Sequence, residues 1–82
     1  MSYEIQWYPK ARKNFERLPR ELQERVSKKL DEVSEEPFRY LGHFAHEDFY
    51  KLRIGDYRAL IDVDFENKIL HLRVFDHRGS IY

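Results

Sequence analysis

Residues 49–75 read FYKLRIGDYRALIDVDFENKILHLRVF, and the alternation in this stretch decides the fold. Phe49 to Ile54, Tyr57 to Phe65 and Ile69 to Phe75 each place apolar side chains at every second position, the period of a strand with one buried face. Gly55-Asp56 and Glu66-Asn67 separate the three runs, and both read as two-residue hairpin turns. The register then follows. Ile54 meets Tyr57, Arg53 meets Arg58, Leu52 meets Ala59, Lys51 meets Leu60 and Tyr50 meets Ile61. In the second hairpin Val63 meets Leu70, Ile61 meets Leu72 and Ala59 meets Val74.

One face of this meander is apolar throughout: Tyr50, Leu52, Ile54, Tyr57, Ala59, Ile61, Val63, Leu70, Leu72 and Val74. Two independent turns agree on it, and a one-residue slip would scatter these side chains over both faces. The opposite face carries Lys51, Arg53, Arg58 and Arg73, with Leu60 and Phe75 between them and an Asp62–His71 pair further along. Arg53 lies directly across from Arg58, and like charges opposed across strands destabilise a sheet.

Upstream, Tyr3, Ile5 and Trp7 alternate with Glu4, Gln6 and Tyr8 in a short strand that Pro9 ends. Pro9 suits a helix start. Ala11, Phe15 and Leu18 follow at helical spacing, and Pro19 divides this helix from a second whose stripe is Leu22, Val26, Leu30 and Val33. Pro37 closes the pair, and residues 38–48 form a loop of unassigned shape. The expected fold is α+β, in the order β-α-α-β-β-β: an antiparallel sheet with a helical hairpin packed on its apolar face, in one domain spanning residues 1–82.

Composition narrows the function. A chain of 82 residues buries about 60% of its unfolded surface, so its core is thin. Six Tyr, six Phe and one Trp offset that shortage. The absence of cysteine excludes disulfides, thiolate metal sites and a cysteine nucleophile. No apolar run approaches the length of a membrane span. Residues 1–8 show no basic stretch followed by an apolar one, so no secretory signal is expected, and the expected compartment is the cytosol. Fifteen Lys and Arg balance fifteen Asp and Glu, so any charged surface is a matter of position rather than total. No His, Asp or Glu group has metal-ligand spacing, and neither a metal nor a cofactor is expected.

Two readings of the cationic face compete. It is either a solvated sheet surface neutralised by Asp56, Asp62 and Asp64, or an anion site. Arginine suits phosphate because its planar fork donates two hydrogen bonds and never loses its charge. Interleaved rings add stacking surfaces for single-stranded RNA. The tail after the last strand, Asp76-His77-Arg78-Gly79-Ser80-Ile81-Tyr82, supplies an imidazole, a fixed cation and a phenol.

The sequence Phe15-Glu16-Arg17-Leu18-Pro19 before a second helix, then Lys51-Leu52-Arg53-Ile54-Gly55-Asp56-Tyr57-Arg58, then His77-Arg78 and Ile81-Tyr82, resembles the RelE/ParE toxin superfamily over essentially the whole chain. The segment Lys51 to Arg58 is its most specific piece. The resemblance implies a toxin of a type II toxin–antitoxin system. RelE-type members are ribosome-dependent endoribonucleases that cleave mRNA in the decoding site without a metal and are silenced by a RelB-like antitoxin. ParE-type members share the fold and poison DNA gyrase, and an inactive antitoxin- or RNA-binding member is a third reading. The RelE-like pattern carries catalytic roles onto Lys51, Arg58, Arg78 and Tyr82. Arg53, Arg73, Phe75 and His77 are the expected substrate-binding residues. One position departs: a basic residue that some RelE members place two positions before Lys51 is Phe49 here.

Overall fold

The computed structural model describes residues 2–43 and 49–77, without the side chain of His43. Strand β1 (Glu4–Trp7) leads into helices α1 (Pro9–Glu16) and α2 (Arg20–Glu35). A helical turn α3 (Pro37–Tyr40) and a two-residue strand β2 (Gly42–His43) follow, within the stretch of unassigned shape. Strands β3 (Tyr50–Ile54), β4 (Tyr57–Asp64) and β5 (Ile69–His77) complete one five-stranded sheet in the order β1-β5-β4-β3-β2. The expected antiparallel meander is present. The sheet as a whole is mixed, because β1 docks parallel to β5, with Ile5 beside Leu70 and Trp7 beside Leu72.

The helical hairpin covers the apolar face. Pro9 occupies the first turn of α1, where a missing N–H costs nothing. Pro19 ends the hairpin's corner, and its carbonyl accepts from the N–H groups of Leu22 and Gln23. The Gln23 side-chain amide donates to the carbonyls of Leu18 and Glu16, satisfying acceptors that α1 leaves open at its end. Val26, Leu30 and Val33 of α2 are buried with Ala11 of α1 against Leu52, Ala59, Ile61, Leu70 and Leu72. Trp7 bridges the layers, 4.8 Å from the Phe15 ring and 5.7 Å from Phe75.

Both hairpins keep the expected register near their turns. Ile54 pairs with Tyr57 across Gly55-Asp56, and Gly55 takes φ +58°, which glycine adopts without a Cβ penalty. The second turn is a four-residue loop, not a two-residue one. Asp64 pairs with Ile69 and Lys68 sits in the left-handed region at φ 56°. Two- and four-residue loops centred on Glu66-Asn67 give the same pairing, so the register survives. The Asp64 carboxylate fixes this loop, accepting from the backbone N–H of Asn67 at 3.0 Å and from its side-chain amide at 2.9 Å.

The register changes further along β5. Ile61 pairs with Leu72 as expected, but Leu60 pairs with Val74 and Ala59 with Phe75. Arg73 is an extra residue, a β-bulge, and beyond it every side chain of β5 changes face. Two expectations are corrected. Val74 is not core but 38% exposed, and Phe75 is not on the charged face but 1% exposed in the core. There it stacks on Tyr57 at 5.4 Å and meets Phe15 edge-on at 6.2 Å. The bulge begins where β1 ends, since the Tyr8 N–H donates to the Leu72 carbonyl and nothing of β1 continues beyond. The Phe75 carbonyl on this open edge accepts from the Asn14 side chain at 2.9 Å.

Phe75→Ala is expected to cost about 3–5 kcal/mol, the range for emptying an aromatic core site. Val74→Ala is expected to stay within about 1 kcal/mol. Urea denaturation of both variants checks the bulge, because an unbulged strand reverses their order. The Asn67 side-chain amide, with its backbone N–H, holds the Asp64 carboxyl below its ordinary 3.8. A lowered carboxyl pKa contributes stability that is complete above the ordinary value and is lost as pH falls through the lowered one. Asp64→Ala is therefore expected to lose less stability than the parent chain on acidification below about pH 4, read by denaturant titration at stepped pH.

Candidate functional site

The solvent face of the sheet divides into two polar clusters with an apolar strip between them. At one end Lys51 and Arg53 of β3 and Arg58 of β4 stand side by side. Arg53 is directly opposite Arg58, and Lys51 is opposite Leu60. The tight Gly55-Asp56 turn forces this opposition, because pairing Ile54 with Tyr57 leaves the next two residues no other partners. Directly opposed residues in an antiparallel pair have Cα atoms only about 4.5–5.5 Å apart. Both guanidinium groups are permanently charged, so a positive field is built into the backbone. Arg53 is exposed and Lys51 half-buried, whereas Arg58 is only 8% exposed although it faces away from the helices.

The bulge changes what flanks Arg58 on its other side. Asp76, not an aromatic ring, is its cross-strand neighbour. The backbone N–H of His77 donates to the Asp76 carboxylate at 2.8 Å, so the acid is held beside the arginine.

The second cluster lies two side chains further along β4, about 13 Å away at strand spacing. Asp62 pairs with His71 as expected. The Arg73 guanidinium sits 3.6 Å from the Asp62 carboxylate and 4.9 Å from each of two rings, Tyr8 and Phe49. His71 meets the Tyr8 ring edge-on at 6.3 Å. Phe49, at the position basic in some RelE members, thus lies under a guanidinium supplied by β5.

Of the expected site residues, the structure brings together Lys51, Arg53 and Arg58. Arg73 shares their face but belongs to the second cluster and carries a carboxylate partner. Phe75 is removed from the face by the bulge. His77 is also moved: it lies on the helix side of the sheet, edge-on to Tyr57 at 5.6 Å, in a cleft with Leu22, Arg25 and Val26. Arg78 and Tyr82 lie outside the described residues. Sequence reasoning misses Asp76, Tyr8 and Phe49 as site residues. Val74-Phe75, two successive apolar residues after strict alternation, admits either register, and in the structure the larger residue takes the core. A further cationic feature is a groove of about 380 Å³ between α2 and β3, where Arg25, Lys28 and Lys29 join Arg53 beside Glu32.

Like charges directly opposite one another across strands oppose pairing electrostatically. Arg53→Ala is expected to stabilise the free protein by about 0.2–1 kcal/mol at low salt. Screening should shrink that gain at high salt. Denaturant midpoints at two ionic strengths check it, and destabilisation by the substitution would show that the pair is not repulsive.

Residues 5–81 match the protein family described as ParE toxin of type II toxin-antitoxin system, parDE. Among curated protein sequences, none matches the chain. Solved structures do. The toxin–antitoxin complex RelBE2 of Mycobacterium tuberculosis contains a chain 26% identical, with a TM-score of 0.85, covering 95% of this chain and 100% of that one. The intact Escherichia coli RelBE complex contains one 26% identical at TM-score 0.77, covering 93% and 96%. The archaeal RelE–RelB complex of Pyrococcus horikoshii shares the fold, at 23% identity, TM-score 0.77 and coverage of 96% and 98%. With the family match spanning nearly every residue, the chain belongs to the ParE toxin family of the RelE/ParE superfamily, the toxins of type II toxin–antitoxin systems.

Proposed function

We propose that the protein is a RelE-like toxin that inhibits translation by cutting mRNA in the ribosomal decoding site. The observation that carries this reading is the Arg53–Arg58 opposition, with Lys51 alongside, on a face the core does not need. A fold gains nothing from opposed cations, whereas a phosphate passing into a phosphorane gains two fixed countercharges.

The reaction is attack of a ribose 2′-oxygen on the adjacent phosphorus. The P–O5′ bond breaks, leaving a 2′,3′-cyclic phosphate and a 5′-hydroxyl. It needs a base for the 2′-OH, an acid for the leaving oxygen and cations for the charge between them. Arg58 and Arg53 fill the last role. Lys51, on the same face, is the candidate base. Arg78 and Tyr82 are the candidates for the leaving side, on the strength of the resemblance, and no metal takes part. Burial of Arg58 strengthens its field, because less water screens it. Positioning of the strand is then a large part of the rate enhancement, which fits a reaction that depends on the ribosome to hold the mRNA. The partner that silences the toxin is a RelB-like antitoxin, the type of chain bound to the relatives in the Mycobacterium tuberculosis and Escherichia coli complexes. An acidic segment on that antitoxin complements the Lys51–Arg53–Arg58 cluster.

The second reading is a gyrase poison of ParE type, favoured by the name of the matching family. It requires no catalytic cluster.

Mapping of mRNA ends on programmed ribosomes separates the two. The protein is expected to cut ribosome-bound mRNA and not naked RNA. Arg58→Ala is expected to lower the cutting rate about 100- to 1,000-fold, the size of one lost charge-stabilising donor, in protein shown to be folded by its melting curve. Absence of cutting by the folded parent chain, together with loss of gyrase supercoiling, would establish the ParE reading instead.

A further inference from the structure

The second cluster on the solvent face is constructed with more care than a wet surface requires. A guanidinium offers two flat faces and an edge of N–H donors. Here the Tyr8 and Phe49 rings each stand 4.9 Å from the guanidinium carbon, and Asp62 takes part of the edge at 3.6 Å. Tyr8, Phe49 and Arg73 come from three separate places in the chain: the residue after β1, the residue before β3, and the bulge in β5. The bulge is what turns Arg73 and Val74 to the same side. Such devices commonly re-aim a side chain next to a functional site. Beside Arg73 a groove of about 200 Å³ runs between α1 and the open edge of β5. Its lining includes Lys10, Asn14, Arg73, Val74 and Asp76. The groove therefore joins the ring-flanked arginine to Asp76, the cross-strand neighbour of Arg58. Tyr8 is 39% exposed, which leaves ring surface open to solvent.

We infer that Tyr8, Arg73 and Phe49 form a nucleotide subsite for the single-stranded RNA that flanks the cleaved bond. A nucleobase stacks on the exposed Tyr8 ring, and the neighbouring phosphate lies in the groove against Arg73 and Lys10. The inference rests on the RNA-cutting reading of the face and assigns it a direction: the strand runs from the Lys51–Arg53–Arg58 cluster, across Leu60 and Val74, to the stack. Planar layering favours RNA over an acidic protein segment, since every base presents a π-face and a carboxylate presents none. Arg73 acts here as a specificity and positioning residue rather than a catalytic one.

The test uses a fluorescein-labelled, fully 2′-O-methylated single-stranded oligoribonucleotide, which cannot be cut by 2′-oxygen attack. Its binding to the free protein is followed by anisotropy at low salt. The parent chain is expected to bind it. Tyr8→Ala and Arg73→Lys are each expected to weaken binding about tenfold, the size of one lost stacking contact. Arg73→Lys keeps the charge, so its salt dependence should match the parent's. Tyr8→Phe should restore affinity. Arg20→Ala, which removes an exposed cation at the far start of α2, sets the baseline for charge loss alone. Failure of the parent chain to bind, parental affinity in Tyr8→Ala and Arg73→Lys, or an equal loss in Arg20→Ala would overturn the subsite. So would a loss confined to antitoxin binding, which would make the surface a protein dock. Ribosomal end mapping runs in parallel. Binding through the stack without any cutting would sink the mRNA-cutting reading and the flanking role with it, and leave Tyr8 and Arg73 only as an RNA-binding surface. Cutting that neither variant alters, with parental RNA affinity, would sink the subsite alone.

Discussion

The face taken by each side chain at the end of β5 depends on one extra residue in that strand. A strand has two faces and a period of two, so a single inserted residue exchanges them for everything downstream. Arg73 is that residue. Before it, Leu70 and Leu72 are fully buried; after it, Phe75 is buried and Val74 exposed. The exchange serves both sides of the sheet at once. On the inside it brings a large ring to the hairpin, where Trp7, Phe15 and Tyr57 surround it. On the outside it sets Asp76 across from Arg58 and turns Arg73 toward Asp62. The bulge is tolerated where it occurs because β1 has ended, so only one neighbouring ladder is disturbed, and Asn14 satisfies the Phe75 carbonyl the missing strand leaves open.

The two clusters of the solvent face differ in electrostatic design. Around Arg58 the nearest cross-strand neighbours are Arg53 on one side and Asp76 on the other, with Lys51 nearby. Cations outnumber the acid, and Arg58 is buried where solvent screens it least. Around Arg73 the charge is matched by one carboxylate, and two rings stand 4.9 Å from the guanidinium carbon. The first arrangement concentrates positive charge on one hairpin; the second sets one guanidinium among two rings and a carboxylate. In a chain of zero formal net charge, this unequal distribution is the electrostatic signal, and total composition conceals it.

The legible part of the fold is the part controlled by local turns. Gly55-Asp56 sets the β3–β4 register to the residue, which is why Arg53, Arg58 and Lys51 are correctly grouped from sequence. Leu22, Val26, Leu30 and Val33 identify α2 through their spacing. The parallel docking of β1 is not legible, because a crossover through two helices leaves no local mark on either strand. The bulge is hidden for a different reason. Arg73-Val74-Phe75 satisfies alternation in either register, with Val74 or Phe75 as the buried residue, and only the volume required by Trp7, Phe15 and Tyr57 decides between them. That choice moves Phe75 and His77 off the candidate site, and it puts Asp76 beside Arg58.

The two parts of the site differ in how they tolerate change. Lys51, Arg53 and Arg58 sit on two strands joined by a two-residue turn, so their spacing is set within one short hairpin and is insensitive to the rest of the molecule. Asp76 reaches the same face only because the aromatic core holds Phe75 inward, whereas Arg73 faces solvent in either register. Loss of that core packing removes the reason for the bulge, and the strand would then be free to return to simple alternation. Asp76 would leave Arg58, and Val74 would leave the solvent face for the core. The charge cluster is therefore a local property of the chain, while its carboxylate neighbour is a property of the packed core, transmitted to the solvent face through the parity of a single strand.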